Sequence, residues 1–261
     1  MSNSEKRIAL VTGANRGLGL ETVRQLQQNG IEVWLSARNQ NEGMLAANKV
    51  NASFVSIDVT SHDSIADAVD QVRDLNGRLD ILINNAGITM DGFNGRVARG
   101  TIATNLEGAI SVTDAFLPIM PDGATIVMIS SGMGTLDAFS KELKRRFIDP
   151  TISRNDLHSL MDEFIAAVDD SSYAKKGWPG AAYTVSKAGL NAFVRMLSRD
   201  LEKRSIIVNA VSPGWVRTDM GGAGAPRSLE EGANGITRAA LLHGSGAAGG
   251  SFLQDGETIS W

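Results

Sequence analysis

Apolar residues along this chain fall into two patterns. The first is a series of short, mostly apolar runs: Ile8 to Val11, Ile31 to Ala37, Ser53 to Ile57, Leu79 to Ile83, Ala124 to Ile129, Ile206 to Val211, and a last one near Ser251 to Leu253. Runs of this length and character read as strands buried on both faces, as in a parallel sheet. The second pattern is helical spacing between the runs. Leu18, Val23 and Leu26 share one helical face, and Gly30 stands where a helix would end. Ser61 begins a helix carrying Ile65, Ala68, Val69, Val72 and Leu75. Further helices are expected over about 97–117, around Tyr183 to about Lys203, and over about 229–242, whereas Thr89 to Gly100 reads as irregular. Strands alternating with helices predict an α/β fold: one doubly wound parallel sheet with helices on both faces.

One interval breaks the alternation. Asp137 to Lys176 is rich in charge, with Phe139, Leu143 and Phe147 spaced four apart. Pro150 ends that run, and Ser153 precedes a second amphipathic piece carrying Leu157, Leu160, Met161, Phe164 and Ile165. A two-helix insertion over about 136–179 is expected, its apolar faces buried on the main body. Met220 to Pro226 is made of small residues and is a lid candidate. No repeat or long linker divides the 261 residues, so 1–261 read as a single domain.

Composition narrows the function. The hydrophobic share of 43% and charged share of 21% are ordinary for a globular chain. With 5% aromatics and 28 glycines, the core is expected to be aliphatic and the turns tight. A net charge of −4, with no basic stripe, argues against a nucleic-acid surface or a polybasic membrane patch. The absence of cysteine excludes disulfides, thiol catalysis and cysteine metal sites. His62, His158 and His243 are far apart, form no ligand pair, and read as surface or satisfied histidines, so no metal is expected. No run approaches the roughly eighteen apolar residues of a membrane span. Met1 to Arg7 is polar and leads into a strand, so a cytoplasmic protein without a signal peptide is expected.

The candidate chemistry sits where strands end. After the first strand comes Thr12-Gly13-Ala14-Asn15-Arg16-Gly17-Leu18-Gly19. Strand, glycine turn and helix open a dinucleotide-binding unit of Rossmann type, whose glycines let backbone approach a pyrophosphate at the helix N-terminus. A generic glycine turn is the plain alternative. At the end of the second strand, where an acid would bind ribose hydroxyls, stand Ala37 and Arg38. An arginine there suits a 2′-phosphate, with Arg16 as a second charge, or is simply solvated. Asn84-Asn85-Ala86-Gly87 ends the fourth strand. Asn105 falls inside an expected helix, where asparagine is a poor fit, so it marks a kink or a functional contact. Tyr183 and Lys187 are four apart and share a helical face. An ammonium near a phenol lowers the phenol's pKa, and such a tyrosine can pass a proton to a substrate oxygen.

Taken in order, Thr12-Gly13-x-x-x-Gly17-x-Gly19, Asp58, Asn84-Asn85-Ala86-Gly87, Asn105, Ser131, Tyr183-x-x-x-Lys187 and Pro213-Gly214 resemble a short-chain dehydrogenase/reductase over the whole chain. The long insertion, the run Pro213 to Met220 and the ending Asp255 to Trp261 resemble its carbonyl reductase branch. The resemblance implies an NADPH-dependent reductase of ketones or aldehydes. Tyr183 would be the general acid, Lys187 its electrostatic partner and a ribose ligand, and Ser131 the group holding the carbonyl oxygen. Asn105 would hold a water beside Lys187. Gly13, Asn15, Arg16, Gly17, Leu18 and Gly19 would surround the phosphates, with Arg16 and Arg38 at the 2′-phosphate. Asp58 and Val59 would meet the adenine; Asn85, Ala86 and Gly87 the ribose; and Pro213, Val216 and Thr218 the nicotinamide. Met133, Trp215, Met220 and Phe93 are either pocket walls or core.

Two other functions fit the same fold. One is a non-catalytic NADP(H)-binding sensor or scaffold, which has no need of Asn105, Ser131, Tyr183 and Lys187 together. The other is a ketoacyl-type reductase, whose relatives lack the insertion and usually form tetramers. The insertion is expected to cover the face that such relatives pack against a partner, which implies a monomer.

Overall fold

The computed structural model describes residues 6–242 and 249–261; His243 and the segment Met1 to Glu5 lie outside the described residues. Among the described residues, eight strands form one sheet in the order β3-β2-β1-β4-β5-β6-β7-β8. They are β1 (Ile8–Val11), β2 (Glu32–Ala37), β3 (Ser53–Ser56), β4 (Ile81–Asn84), β5 (Thr125–Ile129), β6 (Ile207–Val211), β7 (Phe252–Gln254) and β8 (Glu257–Thr258). All neighbouring pairs are parallel except the last, where β8 turns back antiparallel on β7. β8 is a strand beyond those expected: the tight turn Asp255-Gly256, both at positive φ, leaves no room for a crossover.

Alternation along each strand fills two cores. Ile8 and Leu10 point to one face, Ala9 and Val11 to the other. One core lies under α1 (Gly17–Gln28), α2 (Gln40–Val50) and α9 (Leu229–Ala240), with α1 packed on α9. The other lies under α3 (His62–Asn76), α4 (Gly95–Ile102), α5 (Gly108–Phe116) and α8 (Ala182–Asp200).

Two helix expectations are revised. The segment read as irregular becomes helical at Gly95, where the Asn94 side chain caps the backbone N–H of Val97. Its glycines are contact glycines. A Cβ at Gly95 would fall 1.7 Å from the Asp169 carboxylate, and one at Gly100 would fall 3.0 Å from the Met90 sulfur. The sequence reading also passed over α2, a helix whose apolar signal is weak because Met44 and Leu45 are exposed. Gly43 lets α2 settle on the Phe54 ring.

The two-helix insertion is present as α6 (Lys141–Ile148) and α7 (Arg154–Asp169). Leu157, Leu160, Met161 and Phe164 are buried, and α7 packs on α4 and α8 while α6 packs on α8. Phe139, Phe147, Phe164 and Trp178 form a ring cluster with centroids 5.2–6.2 Å apart. Arg99 reaches Asp169 at 2.6 Å, Arg154 pairs with Asp114 of α5, and His158 lies 3.2 Å from Glu107. Phe93 is part of this core, edge-on to Tyr173 at 4.8 Å.

Candidate active site

Four loops line up along one edge of the sheet. They follow β1, β4, β5 and β6, which are neighbours in the sheet order, so the loops leave the carboxyl ends side by side. The chain runs outward to β2 and β3 on one side of β1 and resumes at β4 on the other. That reversal makes a crevice between the β1 and β4 loops, where open α/β sheets bind ligands.

The first two loops are stitched together by Thr12, which opens the glycine motif and had been given no role of its own. Thr12 Oγ1 accepts from the backbone N–H groups of Asn85 and Ala86, both at 3.0 Å. In return the Asn85 amide donates to the carbonyls of Thr12 at 2.8 Å and Gly13 at 3.0 Å. Asn85 therefore positions the glycine turn, and its amide hydrogens are already engaged. Gly13 and Gly19 are required by this packing: a Cβ on Gly13 would lie 2.9 Å from Ala86 Cα, and one on Gly19 would lie 2.5 Å from the Asn85 amide. Gly17 differs. It sits at φ 56° with nothing nearer to its Cβ direction than Thr218 at 4.0 Å. It opens α1, whose N-cap Arg16 supplies no side-chain cap and whose first turn carries no acid. Open backbone N–H groups at a helix start suit a phosphate.

At the outer end, Arg38 is exposed just past β2. Asp58 lies near it. Burial raises the Asp58 pKa, but hydrogen bonds from Thr60 and the Arg38 charge outweigh this and hold it below the usual value. Arg16 is turned to Asp219 at 2.8 Å, and Asn15 donates to Glu42 at 3.0 Å. Neither acid had been anticipated, because both lie far away in sequence. Val59 is mostly core, its side chain against Gly108 of α5.

The inner end gathers the expected catalytic residues. Lys187 is 5% exposed, and its ammonium donates to the Ile129 carbonyl at 2.6 Å. Burial pushes its pKa down to about 8. Its Nζ lies 5.6 Å from the centre of the Tyr183 ring. The expected fall in the Tyr183 pKa is corrected here. Burial raises it, and a hydrogen bond with Ser131 only partly opposes that rise. Ser131 Oγ also accepts from the Met133 N–H at 3.2 Å. Gly87 closes the group: a Cβ there would lie 3.4 Å from Asn105 Oδ1 and 3.7 Å from Lys187 Nζ.

Asn105 proves to be both kink and contact. Residues Ala103–Glu107 form a π turn that joins α4 to α5. The Asn105 amide donates to the Ile88 carbonyl at 2.9 Å and to Ser186 Oγ at 3.1 Å, while Oδ1 accepts from the Ile88 N–H at 2.8 Å. Its amide hydrogens are thus committed, and a water could meet only the remaining lone pair of Oδ1 or the main chain.

The loops after β5 and β6 carry exposed apolar side chains. Trp215 is 60% exposed, Met133 57% and Met220 46%, so these three are surface residues and not core. The Trp215 indole donates to the Gly221 carbonyl at 2.8 Å, and Thr218 Oγ1 accepts from the Gly221 N–H at 2.9 Å. The small-residue loop is therefore tied back to the Pro213-Gly214 turn. Val216 is buried, and its backbone runs beside Arg227, which in turn pairs with Asp255.

Comparisons with known proteins identify the family. Residues 7–141 match the short chain dehydrogenase model, and residues 155–247 match a model described as enoyl-(acyl carrier protein) reductase. Carbonyl reductase [NADPH] 1 of Sus scrofa is 36% identical over 277 aligned positions, covering 99% of this chain and 96% of the pig protein. Salutaridine reductase of Papaver somniferum superposes with a TM-score of 0.89 at 29% identity, over 96% of this chain and 100% of that one. An NADPH-bound carbonyl reductase from chicken fatty liver gives 0.74 at 27% identity, over 98% and 99%. This chain belongs to the short-chain dehydrogenase family, in its carbonyl reductase branch.

Proposed function

We propose that this chain reduces a ketone or aldehyde to an alcohol with NADPH, Tyr183 giving the proton. The observation that carries this reading is the burial of the Lys187 ammonium, on the same helical face as Tyr183 and under the Gly87 turn. A buried cation is costly, and its one tie, to the Ile129 carbonyl, is a bond that a neutral donor could make. The carbonyl reductase activity and NADPH dependence in the relatives' names support the same reading.

The cradle fits the cofactor. The open N–H groups around Gly17, Leu18 and Gly19 take the pyrophosphate, and Arg38, with Arg16 released from Asp219, takes the 2′-phosphate. Asp58 keeps a carboxylate for the adenine amine. Ala86 and Gly87 border the ribose; Pro213, Val216 and Thr218 border the nicotinamide. The bound cofactor supplies a hydride. Ser131 donates its hydroxyl hydrogen to the substrate oxygen and holds it against the Tyr183 hydroxyl. As negative charge develops on that oxygen, Tyr183 passes over its proton, and the Lys187 charge stabilises the phenolate left behind. The raised Tyr183 pKa suits this direction, because the tyrosine stays protonated at neutral pH. The exposed Met133, Trp215 and Met220 are the apolar rim for the substrate's body.

The direct test is NADPH oxidation, followed by absorbance, over a panel of aromatic, aliphatic and cyclic ketones, quinones and aldehydes. No turnover on any of them would favour a non-catalytic cofactor-binding protein. Arg38→Asp should raise the NADPH KM at least about tenfold, as loss of one charge-assisted contact of about 1.5–3 kcal/mol requires. The NADH KM should change little; equal changes would remove Arg38 from the 2′-phosphate site. The working unit is proposed to be one chain, since α7 covers the outer side of α4 and α8. Light scattering should give a monomer mass, and a stable tetramer would refute this.

A further inference from the structure

We propose that Asn191 is a positioning residue, which sets Ser131 against Tyr183 by clamping both ends of the loop that carries the serine. The inference rests on the proposed pairing of Ser131 with Tyr183.

Asn191 follows Lys187 by four residues and Tyr183 by eight, so all three lie on one face of α8. It is 3% exposed, and its neighbour across the gap, Ser130, is 1% exposed. The Ser130 hydroxyl donates to Asn191 Oδ1 at 2.6 Å. The Asn191 amide donates to the Gly134 carbonyl at 3.3 Å. One side chain thereby holds the residue just before Ser131 and the last residue of the short turn Gly132–Gly134 that follows it.

The same loop touches α8 at two further points. Lys187 donates to Ile129, two residues before Ser131. Gly134 lies so close to Lys187 that a Cβ there would come within 2.8 Å of the lysine Cβ. The β5 end is therefore fixed to α8 at residues 129, 130 and 134, and Asn191 supplies two of those ties. Ser131 itself meets α8 at Tyr183. Its side chain is thus placed by its flanks. A serine held this way meets the substrate oxygen without first being ordered, and small displacements of such groups are costly to turnover. Asn191 touches neither substrate nor cofactor in this scheme and acts only through Ser131.

A cycle of Asn191→Leu and Ser131→Ala tests this. Asn191→Leu keeps the size and removes both ties. It should lower kcat at least about tenfold and leave the NADPH Kd within about twofold, since the cofactor loops are held by Thr12 and Asn85. In the Ser131→Ala background, Asn191→Leu should cost less than about twofold, because the residue it positions is gone. Ser130→Ala, which removes one tie with a smaller change, should show the same dependence with a smaller drop and serves if Asn191→Leu folds poorly. Effects that multiply in full, or a loss that appears in the NADPH Kd, would overturn the proposal and leave Asn191 as a packing residue. If Ser131→Ala alone turns over like the wild type, the reading of the site itself fails, and the two failures are thereby told apart.

Discussion

Tyr183→Phe should bind NADPH as the wild type does and lose about 10²–10⁴-fold in kcat, the range that a positioned general acid contributes. The change removes one oxygen from a ring already largely buried, so packing around α8 is kept. Neither neighbouring group, Ser131 or Lys187, can replace the proton. Ser131 is the nearest hydroxyl, and its ordinary acidity is far too weak for that role. Lys187 is held to Ile129 at 2.6 Å, with its Nζ 5.6 Å from the centre of the Tyr183 ring. Cofactor fluorescence gives the Kd and stopped assays give kcat. Turnover within tenfold of the wild type would sink the proton-transfer scheme.

Lys187→Met should have the second-largest effect, with opposite signs in activity and stability. Activity should fall at least about a hundredfold, because the proposed scheme loses the charge that stabilises the phenolate and the ribose contact implied by the family resemblance. Stability should not fall. Moving the lysine from its ordinary 10.5 to about 8 costs roughly 3 kcal/mol at neutral pH. Removing the charge recovers that, against about 1–3 kcal/mol for leaving the Ile129 carbonyl without its donor. The pH dependence gives a cleaner check. Between about pH 8 and 10.5 the unfolded chain holds the lysine proton and the folded chain does not. The wild type should therefore gain stability from this group as pH rises through that window, and Lys187→Met should lack that gain. Denaturant melts at pH 7.5 and 9.5 measure both slopes; parallel slopes would show that the lysine is not perturbed. Reduction by the wild type should meanwhile decline above about pH 8, as Lys187 loses its charge before Tyr183 loses its proton.

Much of this molecule was legible in the sequence, for a common reason. The strands from β1 to β7 are marked by local runs of apolar residues, and the loops that follow them carry local motifs. Even the odd asparagine at 105 marked an irregularity in its helix, which is a π turn. What escaped is what depends on distant partners. Gly95 and Gly100 fall in a segment that reads as irregular, yet each is small because Asp169 or Met90 presses on it. Thr12 reads as the opening of the glycine turn, and only the fold brings its hydroxyl to Asn85 and Ala86. The Tyr183 acidity was misjudged because spacing reveals a nearby charge and says nothing of burial. Arg16 reads as a phosphate ligand, and its present attachment to Asp219 is visible only across the crevice.

The insertion between Ser131 and Tyr183 has a consequence for handling the protein. A face covered by a second subunit is uncovered when the solution is diluted, because association depends on concentration. Here α4 and α8 are covered by α7 of the same polypeptide, pinned through Arg99 to Asp169 and Arg154 to Asp114. The helix that bears Tyr183 and Lys187 therefore keeps its cover at any dilution. Specific activity in nanomolar assays, or with single molecules tethered to a surface, should match that of concentrated stock.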